Sequence, residues 1–349
     1  MLMNYYRHID REQVQFDFLT HRPYDGDYGA EIKELGGNIF HLPILNPFSS
    51  YYKRELGDFF DVHSEYKIIH VHQDCLSSVI LKEAKRHGIM VRIAHSHNAG
   101  QDVNIKYPIK LFYQWFIPHY ATDLMACSED AGKWMFRGAE FQVLNNAIDV
   151  SSYVYDEKKR QQQREKWGIQ SDTKVYGHVG RFSPQKNHEF LVDIFNDIVD
   201  KEANSVLLLV GNDTEENAPA IKEKVKILGL DDKVIFTGLR TDVVDLLQAM
   251  DVFLFPSRYE GLGIVAIEAQ ASGLPCLISE NVPTECKKTE LVQQLSLTES
   301  SENWAKAAIK AAKETKRVDT SNQIKAAGYD IAENAKWLQE YYLKQAAEN

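Results

Sequence analysis

Residues 251–275 read DVFLFPSRYEGLGIVAIEAQASGLP, and this stretch decides the fold of the second half of the chain. An apolar run ends at Pro256, a short loop follows, and Gly261 and Gly263 then precede a helical pattern that extends to about Ser272. Glycines in such a loop let backbone N–H groups approach a ligand closely, and the N-terminus of a helix attracts an anion such as phosphate. The stretch therefore predicts a strand, a loop and a helix around an anion-binding turn.

The same alternation of short apolar runs and amphipathic helical patterns continues through most of the chain. The predicted strands lie at 14–19, 38–44, 67–73, 90–97, 124–128, 141–146, 174–180, 205–211, 233–238, 251–256 and 274–279. Several runs are apolar at successive positions, which is typical of parallel strands covered by helices on both faces. The pattern predicts an α/β fold with two Rossmann-like halves and a cleft between them, in which ligands bind at the carboxyl ends of the strands.

The rhythm of strands and helices also predicts the domains. We expect a first Rossmann-like domain over 1–150 and a second Rossmann-like domain over 151–330. A C-terminal helix over 331–349 is expected to pack back on the first domain. Residues 151–172 are polar and charged, and they are interpreted as a surface helix plus a linker. The chain opens on a helical pattern, LMNYYRHI, with no strand pattern before it.

Composition excludes several classes of protein. Hydrophobic residues make up 44% and charged residues 26%, as in an ordinary globular protein, and the net charge of −10 argues against nucleic acid as a partner. The opening residues form no secretion signal, and no apolar run is long enough to cross a bilayer. The four cysteines lie far apart, which predicts buried reduced thiols. We therefore expect a cytoplasmic protein that is soluble or rests on the inner membrane surface.

A second motif, VGRFSPQKNH at 179–188, places two cations at the end of a predicted strand. Ser183 and Pro184 are interpreted as the N-cap and first position of a helix, which puts Lys186 in its first turn. Together with Arg181, this lysine would clamp a diphosphate without a metal ion. The alternative is that both cations are solvated on the surface.

Two carboxylates flank the glycine-rich turn. Glu260 lies in the loop before the helix, and Glu268 lies about two turns into the helix. Carboxylates are poor phosphate ligands, but they are good acceptors for the hydroxyl groups of a sugar. The alternative is that they are ordinary surface side chains.

Ten of the twelve histidines precede residue 120. Two His-x-His patterns, His70/His72 and His95/His97, close two successive predicted strands. Alternate residues of a strand share a face, so each pair could hold a metal ion, but no carboxylate or thiol joins them at a typical spacing. We predict no metal site, and we interpret these histidines as hydrogen-bonding or acid/base groups.

Taken together, these motifs resemble those of the retaining glycosyltransferase family 4, which has the GT-B fold. The motifs that carry the resemblance are Gly180-Arg181 with Lys186, Val210-Gly211-Asn212, Phe236-Thr237-Gly238, and Glu260-Gly261-Leu262-Gly263 with Glu268. ACSE at 126–129 and LNNAID at 144–149 are similar to further family motifs. AHSHN at 94–98 is similar to a stretch of bacterial capsular and exopolysaccharide transferases.

The resemblance implies roles for individual residues. The implied donor-binding residues are Arg181, Lys186, Gly211, Leu239, Arg240, Glu260, Gly261, Leu262, Gly263 and Glu268. Among them, Arg181 and Lys186 would neutralise the donor diphosphate, and Glu268 would accept hydrogen bonds from the ribose. Glu260 would contact the donor sugar, backbone amides near Leu262 and Gly263 would bind phosphate, and Leu239 and Arg240 would lie along the base.

The implied catalytic residues are His95, Glu260, Arg181 and Lys186. His95 would contact the donor sugar or an acceptor hydroxyl, and the implied acceptor-side residues are His97, Asn98, Ser128 and Asn146. The implied reaction transfers a hexose from a nucleotide-sugar, with UDP expected as the nucleotide, to a polysaccharide or a lipid-linked oligosaccharide. No cofactor or metal is expected, and the absence of an obvious nucleophile favours attack from the face that the leaving group occupies.

Other interpretations stay open. The resemblance implies a strand and a Gly-Gly loop before the opening helix, and their absence from this sequence would fit a catalytically impaired accessory protein. A nucleotide-sugar 2-epimerase, which has a similar fold, is a third possibility. The stretch 105–121, with Lys106 and Lys110 among aromatic residues, would either rest on a membrane or pack its aromatic rings on the sheet.

Overall fold

The computed structural model describes residues 1–98, 100, 107–214 and 217–348. The chain divides into two compact units. The first unit consists of residues 1–148 together with 328–349, and the second unit consists of residues 149–327.

The two units contain the following elements. The strands are β1 (Phe18–Thr20), β2 (Ile39–His41), β3 (Ile68–Val71), β4 (Val91–Ser96), β5 (Asp123–Ala126), β6 (Gln142–Val143), β7 (Lys174–Val179), β8 (Ser205–Val210), β9 (Val234–Phe236), β10 (Val252–Phe255), β11 (Cys276–Ser279) and β12 (Val292–Leu295). The helices are α1 (Leu2–His8), α2 (Gly29–Glu34), α3 (Ser50–Val62), α4 (Ser77–Arg86), α5 (Tyr107–Gln114), α6 (Ile117–Tyr120), α7 (Glu129–Phe136), α8 (Val150–Tyr153), α9 (Glu157–Lys166), α10 (His188–Val199), α11 (Ala218–Ile227), α12 (Val243–Ala249), α13 (Ile264–Ala271), α14 (Ser301–Glu314), α15 (Ser321–Ala326) and α16 (Ile331–Glu348). Short 3₁₀ helices cover Asp74–Leu76, Pro184–Lys186 and Thr284–Cys286.

The second unit contains one parallel sheet of six strands in the order β12-β11-β10-β7-β8-β9. All four residues of β10 are buried, which agrees with the continuous apolar run from which this strand was predicted. Each of the eleven predicted strands overlaps an observed strand. Strand β12 was not predicted, because its polar residues Gln293 and Gln294 interrupt any apolar run.

The sheet of the first unit is split. Strands β3-β4-β5-β6 form a parallel four-stranded sheet, and β1 and β2 form a separate parallel pair. Among the described residues, no strand pairs with the second edge of β1 or of β3. A cavity of about 600 Å³ is lined by both of these strands, including Phe18 and Ile69. The single Rossmann-like sheet predicted for this half is therefore present in two pieces.

The ends of the chain pack together within the first unit. The predicted opening helix is confirmed as α1, whose Tyr5 and Tyr6 are fully buried. They share a core cluster with Leu338 and Tyr342 of α16. The Tyr5 hydroxyl donates a hydrogen bond to the Asn145 carbonyl at 2.5 Å, so α1 is fixed to the loop after β6.

The interpretation of 151–172 as a surface helix plus a linker is wrong in one respect. Helix α9 in this stretch is anchored on the second unit, because Arg160 and Arg164 donate to the two oxygens of Asp251 at 2.6 and 2.7 Å. Arg164 is buried and also donates to the carbonyl of Thr173. The hydrophobic pattern does not predict this packing, because the contact is made by charged and not by apolar side chains.

Two further predictions concern the cysteines and membrane-spanning helices. The four cysteines, all among the described residues, are buried and form no disulfide, as predicted. Within the described part of the chain, no helix combines the length and the apolar character that crossing a bilayer requires.

Candidate functional site

An enclosed ion pair lies at the carboxyl end of the second unit's sheet. Lys186 Nζ donates to Glu260 Oε1 at 2.7 Å, and the two side chains are only 14% and 8% exposed. The ammonium group also lies 4.7 Å from the centre of the Phe255 ring. A pair so shielded from solvent is weakly screened by salt, so its charges act strongly on any ligand that reaches them.

The turn that carries Lys186 differs from the expectation. Lys186 ends a 3₁₀ turn, and α10 begins only at His188, after Asn187 in the left-handed conformation with a φ of 58°. The Asn187 side chain donates to the Pro256 carbonyl at 3.2 Å. This bond ties the lysine turn to the loop after β10. Ser183 and Pro184 begin a helical turn that contains Lys186, as predicted, but the turn is a separate 3₁₀ helix and not the start of α10.

Two exposed arginines belong to the same loops. Arg181 is exposed, and no ion pair to it occurs in the described ranges of the chain. Arg258, which the sequence analysis overlooked, is also exposed, and its backbone N–H donates to the Gln185 carbonyl at 2.8 Å. The loops around the ion pair therefore carry cations that are available to an anionic ligand.

Glycines allow the strand ends to approach one another. A Cβ on Gly211 would lie 2.1 Å from the carbonyl oxygen of Gly180, so backbone packing alone requires a glycine at this position. The Gly211 N–H donates to the Gly238 carbonyl at 3.2 Å. A Cβ on Gly180 would lie 3.2 Å from Lys186 Cδ, which shows that the lysine stem lies against this strand end.

The glycine-rich turn before α13 has the predicted form. Gly263 precedes the first residue of α13 with a φ of 77°, a conformation that favours glycine. Leu262 is buried and Gly261 is partly buried. The Ala266 N–H donates to the Gly263 carbonyl at 2.8 Å. The N–H groups at the very start of α13 have no partner within the helix and can bind an anion.

Helix α13 places Glu268 beside a residue that the sequence analysis missed. Glu268 is hydrogen-bonded to Tyr153 of α8, and burial raises the pKa of this carboxyl to about 7, while the tyrosine bond lowers the pKa in part. Burial and the nearby Glu268 likewise raise the pKa of Tyr153. No local signal marked Tyr153, because more than 100 residues separate it from its partner.

The loop after β9 holds its arginine in a local ion pair. Arg240 donates to both oxygens of Asp242 at 2.7 Å, and hydrogen bonding to Arg240 lowers the pKa of Asp242 to about 2. Leu239 is exposed. The predicted base-binding loop therefore presents an apolar side chain beside a neutralised arginine.

In the first unit, the two predicted His-x-His pairs form one cluster. His70 Nε2 and His95 Nδ1 are 3.0 Å apart, and His72 Nδ1 and His97 Nε2 are 2.7 Å apart. The ring nitrogens of His70, His72 and His95 lie within 4.8 Å of one another, and neighbouring rings are stacked. The parallel pairing of β3 with β4 brings the pairs side by side.

Burial keeps this cluster neutral. It lowers the pKa of His70 to about 3 and the pKa of His97 to about 4. The pKa values of His72 and His95 also lie well below their ordinary range, because desolvation and the neighbouring imidazoles disfavour the charged form. Neutral imidazoles each offer one donor and one acceptor, which suits hydroxyl groups better than anions.

The cluster extends to the C-terminal helix. The Tyr342 hydroxyl of α16 lies 2.5 Å from His70 Nδ1. His95 is 1% exposed, and its Nε2 has no hydrogen-bond partner among the residues that the structure describes. No local pattern marks Tyr342 as part of this cluster, because it follows His70 by 272 positions.

The remaining acceptor-side candidates are scattered. Asn98 is exposed, and the buried Oδ1 of Asn146 has no partner in the described chain. The Ser128 hydroxyl accepts a hydrogen bond from the Ala131 N–H at 3.2 Å. Ser128 is therefore the N-cap of α7, which is a structural role.

The stretch 105–121, for which membrane contact and packing on the sheet were both open, is only partly described. Lys106 and the preceding residue of the 105–121 stretch lie outside the described residues. Phe112 and Trp115 are 60% and 68% exposed. The alternative in which this stretch packs its aromatic rings on the sheet is therefore wrong for these two side chains, although Tyr113 does pack on the core.

Comparisons with known proteins identify the family. The family described as "Glycosyl transferases group 1" matches residues 159–330. The chain is 32% identical to the "Putative glycosyltransferase EpsF" of Bacillus subtilis strain 168, over 98% of this chain and 92% of that protein. The chain belongs to the group 1 glycosyltransferases.

The names of two other relatives of this glycosyltransferase state a biosynthetic process or a reaction. It is 25% identical to the "Capsular polysaccharide biosynthesis glycosyltransferase CapM" of Staphylococcus aureus, over 77% of this chain and 74% of that protein. It is 24% identical to the "UDP-Gal:alpha-D-GlcNAc-diphosphoundecaprenol alpha-1,3-galactosyltransferase" of Escherichia coli, over 64% of this chain and 60% of that protein.

A solved structure shows the fold of the glycosyltransferase. The crystal structure of Anabaena Alr3699/HepE in complex with UDP and glucose superposes with a TM-score of 0.77 at 17% identity, over 94% of this chain and 99% of that chain. The predicted GT-B fold, with two Rossmann-like domains, is thereby confirmed.

Proposed function

We propose that this glycosyltransferase moves a hexose from a UDP-sugar to a saccharide, free or linked to a lipid, in capsule or exopolysaccharide synthesis. The anomeric configuration is retained, and no metal ion takes part. The proposal is supported by the sequence motifs of a retaining family and by the names of two relatives, one a capsular enzyme and one that uses UDP-Gal and a diphosphoundecaprenol-linked acceptor. The structurally similar HepE was crystallised with UDP and glucose.

The observation that carries the proposal is the Lys186–Glu260 ion pair of the second unit. An ammonium group has three donors, so Lys186 can keep its bond to Glu260 and also donate to a phosphate oxygen. With Arg181 supplying a second cation, the diphosphate of the leaving nucleotide is stabilised without a metal ion. Glu260 is then held beside the sugar that the diphosphate carries.

The neighbouring groups supply the remaining donor contacts. The N–H groups that follow Gly263 bind phosphate, and Glu268 accepts hydrogen bonds from the ribose hydroxyls. The first unit supplies the acceptor side, where the neutral His95 contacts a hydroxyl group. The leaving diphosphate then takes the proton of the attacking hydroxyl, so that attack and departure occur on one face of the sugar.

The first unit also offers a contact to a membrane surface. Phe112 and Trp115 are exposed on and just after α5, and Arg137 lies 5.4 Å from the centre of the Trp115 ring. Exposed aromatic rings beside cations suit the boundary between lipid headgroups and acyl chains. We propose that this patch brings the protein to the inner face of the membrane, where a lipid-linked acceptor is available.

Calorimetric titration with UDP, GDP and ADP, first without and then with Mg²⁺, tests the donor proposal. We expect UDP to bind in both conditions with the same affinity. Binding that requires Mg²⁺ would contradict the metal-independent clamp, and no binding of any nucleotide would favour the accessory-protein interpretation.

A pair of variants separates the two roles. His95→Ala should lower turnover and leave UDP affinity unchanged, whereas Lys186→Ala should weaken UDP binding itself. Loss of UDP binding in the His95 variant would contradict its assignment to the acceptor side.

A further inference from the structure

We propose that Tyr342 and His70 hold His95 in a single tautomer, with its proton on Nε2, so that His95 presents a fixed hydrogen-bond donor. Tyr342 and His70 are thus positioning residues that act through His95. The identity of the bound oxygen as a sugar hydroxyl rests on the proposed function, whereas the tautomer itself does not.

The three side chains form a row across three elements of the first unit. Tyr342 of α16 reaches His70 Nδ1 at 2.5 Å, and His70 Nε2 reaches His95 Nδ1 at 3.0 Å. Both distances are those of hydrogen bonds. His95 Nε2, at the end of the row, has no partner among the described residues, although the side chain is 1% exposed.

The tyrosine sets the direction of the row. A neutral imidazole carries one N–H, so its two nitrogens play opposite roles. If Tyr342 donates to His70 Nδ1, the His70 proton lies on Nε2 and is donated to His95 Nδ1, which leaves the His95 proton on Nε2. The reverse order would leave the hydroxyl proton of Tyr342 without an acceptor in the described chain, in a residue that is 7% exposed. An unpaired buried donor is unfavourable, so the first order is the stable one.

The neighbouring imidazoles do not disturb this order. His72 and His97 stack against the row but use one nitrogen each on one another, at 2.7 Å. Burial lowers the pKa of every imidazole in the cluster. Near neutral pH each ring therefore carries one proton, and its tautomer is defined.

The tautomer has a chemical consequence. An Nε2–H group donates a hydrogen bond to a hydroxyl or ether oxygen, but it has no lone pair with which to take a proton. His95 therefore orients a sugar oxygen as a donor and is not the general base. This assignment agrees with a reaction in which the leaving diphosphate takes the acceptor proton.

Nitrogen NMR of the full chain labelled with ¹⁵N-histidine tests the proposal directly. Long-range ¹H–¹⁵N correlations distinguish the two tautomers, and we expect His70 and His95 both to be in the Nε2–H form at pH 7. In Tyr342→Phe, His95 should change to a mixture of tautomers. Tyr341→Phe, the matched control on the same helix, should leave His95 unchanged.

A second pair of variants guards against a folding defect in Tyr342→Phe. His70→Gln keeps a side-chain N–H near the position of Nε2 and should preserve the His95 tautomer, whereas His70→Leu should lose it. An Nδ1–H form of His95 in the wild type, or an unchanged His95 in both Tyr342→Phe and His70→Leu, would overturn the proposal. A zinc ion retained in stoichiometric amount by the purified chain, with the His70 and His95 nitrogens shifted, would overturn it as well.

The activity readout separates this inference from the proposed function. Tyr342→Phe should lower turnover about tenfold, the cost of one weakened hydrogen bond, with unchanged affinity for UDP. If the proposed function is wrong, the wild type itself fails to bind UDP while the nitrogen spectra still report the tautomer. If the inference is wrong, UDP binds and the spectra contradict it.

Discussion

The candidate site of the second unit is charged, whereas that of the first unit is neutral. In the second unit, Lys186 and Glu260 form a shielded ion pair, with exposed arginines on the same loops. In the first unit, His70, His72, His95 and His97 are packed together as neutral imidazoles. A charged site suits a diphosphate and a neutral one suits hydroxyl groups, which supports the proposal that the donor binds to the second unit and the acceptor to the first.

The sheets of the two units differ as well. The second unit has six continuous parallel strands, whereas the first has a four-stranded sheet and a separate pair with a cavity beside them. Similar sequence patterns thus produce a closed core in one unit and an interrupted one in the other. We expect the first unit to be the more easily unfolded of the two.

Acidification should produce the largest difference in stability between the two units. Burial holds the pKa of His70, His72, His95 and His97 below the unfolded value near 6.5. The stabilisation is therefore present above pH 6.5 and is lost as the pH falls towards the folded pKa. Each of these histidines lowers the free energy of unfolding by roughly 1 kcal/mol as the pH falls from 6.5 to 5.5. The second unit has two such histidines, His178 and His188.

Glu268 acts in the opposite direction in the second unit. Its pKa is raised to about 7, so its contribution to stability is present below pH 4.5 and is lost as the pH rises through 7. The first unit should therefore lose roughly 3 kcal/mol more than the second over this pH range. Hydrogen exchange at pH 7 and pH 5.5, corrected for intrinsic rates, measures both units at once, and equal losses of protection would contradict the prediction.

Asp251→Asn should remove part of the greater stability of the second unit. Asp251 accepts hydrogen bonds from Arg160 and from the buried Arg164, and the variant leaves these cations with a neutral partner. We expect a loss of about 3 kcal/mol in urea unfolding. Asp193→Asn, which breaks a surface pair with Lys224, is the control and should cost less than about 1 kcal/mol.

Lys186→Ala should weaken UDP binding about a hundredfold, because it removes a charge-assisted bond and leaves Glu260 to repel the diphosphate. Lys224→Ala, a surface lysine, should bind UDP as the wild type does in the same titration. Adding Glu260→Gln to Lys186→Ala should recover part of the loss. If the double variant binds more weakly than the single variant, the repulsion argument is wrong.

Glu268 should give a smaller, pH-dependent effect. The carboxylate is a better acceptor for ribose hydroxyls than the carboxylic acid, so UDP affinity should rise by up to about tenfold as the pH increases through 7. Glu268→Gln should lack this rise, and it also corrects for titration of the UDP phosphate itself. Tyr153→Phe should move the midpoint to higher pH, and an unmoved midpoint would contradict the assigned hydrogen bond.

The sequence predicted the elements of both units better than their contacts. Apolar runs identified the strands up to β11, and the glycines at 261 and 263 identified the start of α13, because these signals are local. The strand β12 lacks such a signal, and the turn at Lys186 depends on the distant Pro256 carbonyl. The anchoring of α9 depends on Asp251, which lies far along the chain from its arginines.

By itself, the sequence determined the α/β class, the strand positions and the residue types of both candidate sites, since hydrophobic period and glycine placement act over a few neighbouring residues. Only the tertiary structure decided the pairing of Lys186 with Glu260, the bond between Tyr153 and Glu268, and the row from Tyr342 to His95. These partners are brought together by the packing of separate elements. Their charges, tautomers and pKa values therefore depend on burial and contact, which no local stretch of sequence specifies.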